Sequence, residues 1–243
     1  MKLHRFFVDI LLARGEMTIR DAALAHQIHT VLKLRPGEKL TLFDASGIEA
    51  AAIIAAVEKK TIRIRIEAIG KPHREPDIEL TLYAAIVKHK HFEMIAEKAT
   101  EIGVSCIVPL ITKRTVKRVL RTERILKIIK EAAEQSGRTR LPTLADPSSF
   151  AEALQSRDRE TAHFFFNPSG NPLPQKISAQ KRAVWIGPEG GWTDDELAAA
   201  QSEKLYIASF GNLIFRAETA AIVGAFAVLT APLSSSGLSN QVG

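Results

Sequence analysis

The stretch Ile186-Gly187-Pro188-Glu189-Gly190-Gly191 stops the apolar run Ala183-Val184-Trp185 abruptly, and Thr193 with Glu196 signals a helix start immediately after it. Glycines allow close approach of a ligand or a second backbone and tolerate positive φ, and a Thr-x-x-Glu spacing is a capping box. A tight turn and a ligand-shaped backbone surface both fit, although a plain turn does not require three glycines and a proline. A second glycine-bearing segment, Phe210-Gly211-Asn212, ends another apolar run. In open parallel sheets ligands bind beyond the carboxyl ends of the strands.

Other chemistries find less support. No Gly-x-Gly-x-x-Gly follows a strand and no Gly-Lys-Ser/Thr loop occurs, which disfavours those dinucleotide and ATP sites. A Gly-x-Ser-x-Gly nucleophile elbow is absent as well. His89 and His91, two apart among lysines, are a weak metal signal, with a solvated turn before a helix as the alternative. Cys106 stands within an apolar strand and reads as a small buried hydrophobe. As the sole cysteine it forms no internal disulfide, which points to a cytoplasmic protein. No apolar run is long enough for a membrane span, and the N-terminus lacks the pattern of a secretory signal.

Charge is distributed unevenly along the 243 residues. Residues 1–75 and 76–150 each carry 13 Lys/Arg against 9 Asp/Glu, whereas 151–243 carry 7 against 9. The positive excess therefore lies in the first 150 residues and suggests an anionic partner such as RNA or DNA. From Lys113 to Lys130 eight basic residues face a single Glu123. Arg121, Arg124, Lys127 and Lys130 can share one helical face while Ile125, Ile128 and Ile129 point inward. A solvated face is the plainer reading, but such faces usually mix signs, and phosphate contacts are the better account.

The elements that must hold these groups fall into two sets. Leu40 and Leu42 before the turn Ala45-Ser46-Gly47, and the alternation of Ile62, Ile64 and Ile66 with Arg63, Arg65 and Glu67, read as strands. A short helix between Asp21 and Leu34, closed by Pro36-Gly37, completes what looks like a small barrel. Residues 70–77 hold two prolines and a glycine and mark a domain boundary. Beyond them strands (79–87, 105–112, 162–166, 182–187, 204–210) alternate with helices (92–103, 122–136, 193–202, 216–230). That order implies a mainly parallel sheet with helices on both faces.

Five segments, taken together and in order, carry a resemblance: "LYAAIVK" (82–88), "EMIAEKATEIGVSCIVPLIT" (93–112), "EAAEQSGRTRLP" (131–142), "IGPEGGWTDDE" (186–196) and "FRAETAA" (215–221). From about Arg5 to Leu229 the chain resembles the bacterial 16S ribosomal RNA (uracil-N3) methyltransferase family (RsmE), of the SPOUT class. The pairing of the glycine loop with Arg216-Ala217-Glu218-Thr219 is the specific part. The resemblance implies a PUA-like β-barrel that holds RNA (1–72) and an α/β SPOUT domain with a parallel sheet and a deep C-terminal trefoil knot (73–232). A disordered tail (233–243) would follow. It also implies S-adenosylmethionine as cofactor, a homodimer, no metal, and 16S ribosomal RNA as substrate, within the 30S subunit.

On that reading Ile186, Gly187, Pro188, Glu189, Gly190 and Gly191 form one cofactor loop. Phe210, Gly211, Asn212, Ile214 and Phe215 form a second, joined by Ala217 and Thr219, with Leu82 and Ala84 against the same pocket. RNA would meet Arg5, His29, Lys33 and Arg35 in front and Arg114, Arg121, Arg124 and Arg138 behind. Uracil N3 is a poor nucleophile until its proton leaves, so Arg216 is suited to stabilise charge on the uracil oxygens, and Glu218 to orient it or accept a proton. A helix-start ion pair of Arg216 with Glu218 or Glu189 is the alternative. Leu213 replaces an arginine of the family pattern, and His89–Phe92 replace Gly-Asp-Arg-Met. Rival functions are a ribose 2′-O-methyltransferase of the same class and a non-catalytic RNA-binding module.

Overall fold

Period-two alternation builds the first part of the chain. In the computed structural model, which describes residues 3–116 and 119–234 and only the backbone of His89, Ile62, Ile64 and Ile66 are buried while Arg63, Arg65 and Glu67 face out. Lys117, Arg118 and the tail from 235 lie outside the described residues. The strands are β1 (Arg5–Phe7), β2 (Gly15–Ile19), β3 (Lys39–Phe43), β4 (Glu49–Val57) and β5 (Ile62–Gly70). They form one sheet in the order β1-β3-β4-β5-β2, antiparallel except for β1 with β3. Between β2 and β3, α1 (Ala22–His26) is capped by the Asp21 carboxylate, which accepts from the amides of Ala23 and Leu24. It runs on into a π-turn, Gln27–Val31, that ends where Lys33 adopts a φ of 55°.

The chain divides into two compact units, Met1–Glu75 with Ala133–Leu141, and Pro76–Ala132 with Pro142–Gly243. Hydrogen bonds explain why the later segment belongs to the first unit. Glu75 takes two bonds from the Arg138 guanidinium and one from the Thr139 amide. Burial alone would push the Glu75 carboxyl up, yet these bonds hold it below the usual range. Arg5 donates to the Arg138 carbonyl at 3.0 Å and pairs with Glu49.

Strand and helix alternate through the second unit. The order is β6 (Glu79–Ala85), α2 (His89–Ile102), β7 (Cys106–Ile111), α3 (Thr122–Ser136), β8 (Thr143–Leu144), β9 (Ser148–Ser149) and α4 (Phe150–Ser156). Then come β10 (Ala162–Pro172), β11 (Lys181–Ile186), α5 (Asp194–Ser202), β12 (Tyr206–Ser209) and α6 (Ala217–Thr230). The last turn of α3 falls in the first unit. The sheet order is β12-β10-β11-β6-β7-β8, with β9 also on β7, and every pairing is parallel. Helix α2 starts at His89 rather than at Phe92, so the His89–Phe92 stretch is its first turn and not a solvated turn before it.

An aromatic stack fills the sheet. Trp185 is fully buried, lies 3.9 Å from the Tyr83 ring, and donates to Nδ1 of His163. Burial pushes the His163 pKa down, in keeping with a neutral ring that accepts at Nδ1 and bonds the Asp158 carbonyl at Nε2. Register on β12 shifts between Phe166 and Asn171, so the intervening residues leave the ladder beside the strand's carboxyl end.

One buried cation locks the last helix. Arg182 is fully buried at the start of β11, and its guanidinium donates to the carbonyls of Val228 and Ala231 at the end of α6, and to those of Ile177 and Ala179. A cation at a helix C-terminus also complements the helix dipole. Arg182→Met keeps most of the stem but leaves four carbonyls without their donor. We expect a loss of about 3 kcal/mol in urea unfolding; a loss under a quarter of that would show that water replaces the guanidinium.

Candidate functional site

The loop after β11 is held by its neighbours as well as by its own residues. The Gly191 amide bonds the Pro188 carbonyl at 2.8 Å, closing a turn in which Gly191 takes a φ of 69°. Trp192 folds back over Gly187, where an added Cβ would lie 3.0 Å from the indole ring, and its Nε1 donates to the Phe166 carbonyl. Thr193 and Glu196 then make the reciprocal capping box that starts α5. The other oxygen of Glu196, a buried carboxylate, accepts from the Lys113 amide at 2.9 Å. Arg114, next along, donates to the carbonyls of Gly190 and Trp192 at 2.7 and 3.1 Å.

A cavity of about 500 Å³ opens against this loop, within the usual size range of small-molecule sites. Its walls come from the carboxyl ends of three strands and the N-terminus of α6. Ile186, Gly187, Pro188, Glu189 and Gly191 supply one side. Phe210, Gly211, Ile214, Phe215 and Ala217 supply the other, with Phe210 stacked 4.3 Å from Phe166. Gly190, Asn212, Glu218 and Thr219 are outside its lining, and Leu82 and Ala84 are fully buried within β6. Sequence reasoning missed Phe166, Asn167, Pro168 and Trp192, which also face the cavity. The polar stretch Asn167-Pro168-Ser169-Gly170 after an apolar run could have marked this irregular part of β10.

Arg216 is the exposed N-cap of α6 and lines the cavity. No ion pair holds it among the described residues. Glu218 is buried in the first turn of the helix, and its Oε2 lies 3.6 Å from Nδ1 of His91. Neither atom has a hydrogen-bond partner among the described residues. The helix-start pair of Arg216 with Glu218 is therefore not formed; His91 takes that place. The first amides of a helix have no partner within it, so the positive end of α6 faces the cavity.

The residues expected to meet RNA separate by environment. Arg121 and Arg124 are exposed, the latter 3.5 Å from Glu93, and His29, Lys33 and Arg35 are exposed around the π-turn of the first unit. Arg138 is corrected: it is 7% exposed and its guanidinium is committed to Glu75. Arg5 is likewise committed to Glu49 and to main-chain carbonyls. Arg114 is exposed but serves the glycine loop. Burial pushes the Cys106 thiol up, as expected of an unreactive thiol. Among the described residues no three His, Cys, Asp or Glu gather as a metal site, and no helix is long and apolar enough to cross a membrane.

Comparison with known proteins shows which family this fold and sequence belong with. Residues 73–229 match the RNA methyltransferase domain, and residues 25–67 the RNA methyltransferase PUA domain. Ribosomal RNA small subunit methyltransferase E of Rickettsia conorii is 31% identical over 229 residues, 91% of this chain and 93% of its own length. The crystal structure of the Neisseria gonorrhoeae methyltransferase of that name, bound to S-adenosyl methionine, superposes with a TM-score of 0.88 at 27% identity, covering 94% of this chain and 98% of its own. A Legionella pneumophila methyltransferase in complex with the same cofactor gives 0.86 at 29% identity, covering 94% and 97%.

The bracing of the glycine loop can be measured without any ligand. Removing the charged donor in Arg114→Ala should cost about 1.5 kcal/mol locally, so amides from Gly190 to Thr193 should exchange roughly tenfold faster. Protection elsewhere should be unaltered. Equal exchange across that segment in both proteins would mean that the loop holds itself.

Proposed function

Because the chain belongs to the ribosomal RNA small subunit methyltransferase E family, we propose that it transfers a methyl group from S-adenosylmethionine to N3 of a uridine in 16S ribosomal RNA. The observation that carries this reading is the cavity between the glycine loop and the Phe210–Phe215 segment, with the Arg216 guanidinium beside it. Its size, its apolar walls and its main-chain turns suit an adenosyl group, and an added Cβ at Gly191 would meet nothing within 4 Å, leaving room for a ligand there.

When bound, the cofactor supplies a methyl group that is already electrophilic. This chain's residues do the rest. The loop from Ile186 to Gly191 and Phe210 fix the donor, and Trp192 and Phe166 shut the floor against water. Arg216 faces the uracil oxygens on which charge develops as N3 loses its proton. Glu218 is the proposed acceptor for that proton, from a carboxylate that lies outside the cavity lining with Oε2 buried beside His91 Nδ1. Exposed Arg121 and Arg124 in the second unit, and His29, Lys33 and Arg35 in the first, contact RNA phosphates. Residues 1–72 thus serve RNA binding and 73–232 methyl transfer.

The finer expectations belong to the same proposal. The chain reaches edge strand β12 and returns to lay α6 on β11 and β6 in the middle of the sheet, a return that suits a knotted C-terminal path. Exposed Met94 on α2 and Val223 and Phe226 on α6 form an apolar face that suits a homodimer. The substrate is the assembled 30S particle and the setting is cytoplasmic.

Incubating the protein and S-adenosylmethionine with 30S particles lacking the modification should yield 3-methyluridine by nucleoside mass spectrometry. A 2′-O-methyl nucleoside, or cofactor binding with no methyl transfer, would overturn the reading. Arg216→Ala should keep cofactor affinity within a few-fold and lose about 10²–10³ in single-turnover rate. Lost cofactor binding in that variant would instead make Arg216 structural.

Gly191 allows a separate check. Valine at a φ of 69° would strain the backbone, whereas asparagine tolerates the left-handed region. Gly191→Asn should therefore fold normally and abolish cofactor binding by calorimetry; unchanged affinity would exclude the glycine loop from the site.

A further inference from the structure

A second, larger cleft of about 730 Å³ lies at the opposite end of the same sheet. The amino ends of β10 and β12 form it, at Ala162–Phe164 and Lys204–Tyr206. From Ala162 to Phe166, where β10 reaches the glycine-loop cavity, the strand advances roughly 13 Å, so the two sites are distinct.

The lining is strongly cationic in the one part of the chain that is acidic overall. Arg157, Arg159, Lys176 and Lys204 face a single carboxylate, Glu203. Nearby Asp158 is paired with Lys181 at 3.3 Å, and Glu160 is outside the lining. Arg157 is built in rather than draped over the surface. Its side chain is 4% exposed, bonded to the Leu154 carbonyl and to the carbonyl and carboxylate of Glu203. Its Nε is buried with no partner among the described residues. The same Glu203 carboxylate is shared with exposed Arg159 at 3.5 Å. Lys176 and Lys204 are exposed, and neither has an acidic partner among the described residues.

Lys204 adds a second signal. It closes α5 in the left-handed conformation, with a φ of 58° and its amide bonded to the Gln201 carbonyl. Glycine is favoured at that position, so a lysine is held there against its backbone preference and projects from the helix's negative end. Tyr206, half-buried against the Phe164 ring, lies beside these cations, and Ser178, Ser202 and Thr161 supply hydroxyls. Clustered cations next to an aromatic ring are the combination that takes a nucleotide, phosphate on the cations and base on the ring.

We propose that this cleft is a second anion site that binds a nucleotide phosphate, supplied by a phosphodiester of an RNA strand lying beyond the methylated base. The inference rests on the proposed function only in naming RNA as the source; a free nucleotide carries the same group.

The test uses the full chain and the double variant Lys176→Ala/Lys204→Gly. Glycine suits the left-handed position, so the fold is preserved, and an unchanged melting temperature checks it. A labelled single-stranded RNA is titrated by fluorescence anisotropy across a salt series, and ADP by calorimetry. We expect RNA to bind about tenfold more weakly to the variant. The log–log salt slope should flatten by about 1.4, the effect of two lost single-strand contacts, with S-adenosylmethionine affinity unchanged. Loss of ADP binding with RNA binding intact would uphold the site and make a free nucleotide its source. RNA affinity and slope equal in both proteins, together with no ADP binding to either, would overturn it. Failure to methylate 30S particles would leave these titrations unaffected, so the two ideas fail separately.

Discussion

One buried carboxylate organises the site end of the sheet. Glu196 caps α5 through Thr193 with one oxygen and accepts the Lys113 amide with the other. A single side chain thereby joins the loop after β7 to the loop after β11. Arg114 then follows Lys113 into reach of the Gly190 and Trp192 carbonyls. A glycine-rich loop left to itself would lose much conformational entropy on ordering. Here much of the order comes from outside the loop, which leaves Gly187 small beneath the Trp192 indole and Gly191 open to the cavity. The same capping box that marks a helix start in sequence is thus also the clamp on the cavity.

At its other end α6 depends on Arg182. Its C-terminal carbonyls are drawn to a guanidinium at the foot of β11, while its N-terminus opens on the cavity. Fixing a helix at its far end sets the direction of its near end, so Arg216 and Ala217 inherit their positions from contacts a helix length away. Nothing in a sequence window around "FRAET" hints at this, because the partner of α6 lies in a strand and bonds main-chain atoms.

Legibility in the sequence followed the range of the interaction. Period two in 62–67 and the alternation of strands and helices after 79 were readable because each depends on neighbours in the chain. The glycine loop and the Thr193–Glu196 box were readable for the same reason. Arg138 and Arg5 were not: a basic residue in a basic segment looks solvated until a distant carboxylate, Glu75 or Glu49, removes it from the surface. The bonds of Arg114 to the glycine loop were illegible because its acceptors are carbonyls more than seventy residues away. The third wall of the cavity, Asn167 and Pro168, went unread, because only the folded chain brings this irregular part of β10 to the pocket. Lys204 carried no sequence signal at all, since its significance lies in a φ value.

The two departures from the family pattern acquire a common meaning in the folded chain. Leu213 lines the cavity and is largely exposed, contributing apolar surface where the pattern has a cation. His91, in the other altered segment, stands 3.6 Å from Glu218 in the first turn of α2. The two cations that do line the cavity are not equivalent. Arg114 is already bonded to two carbonyls, and a guanidinium so committed answers weakly to charge appearing elsewhere. Arg216 has no such commitment among the described residues. With leucine at 213, the proposed function would leave the burden of meeting negative charge on a bound base to that one side chain. The Glu218 carboxylate has His91, and not Arg216, as its neighbour. Under the proposed function, transfer would therefore lean on a single uncommitted arginine, with a histidine–glutamate pair at the start of the same helix.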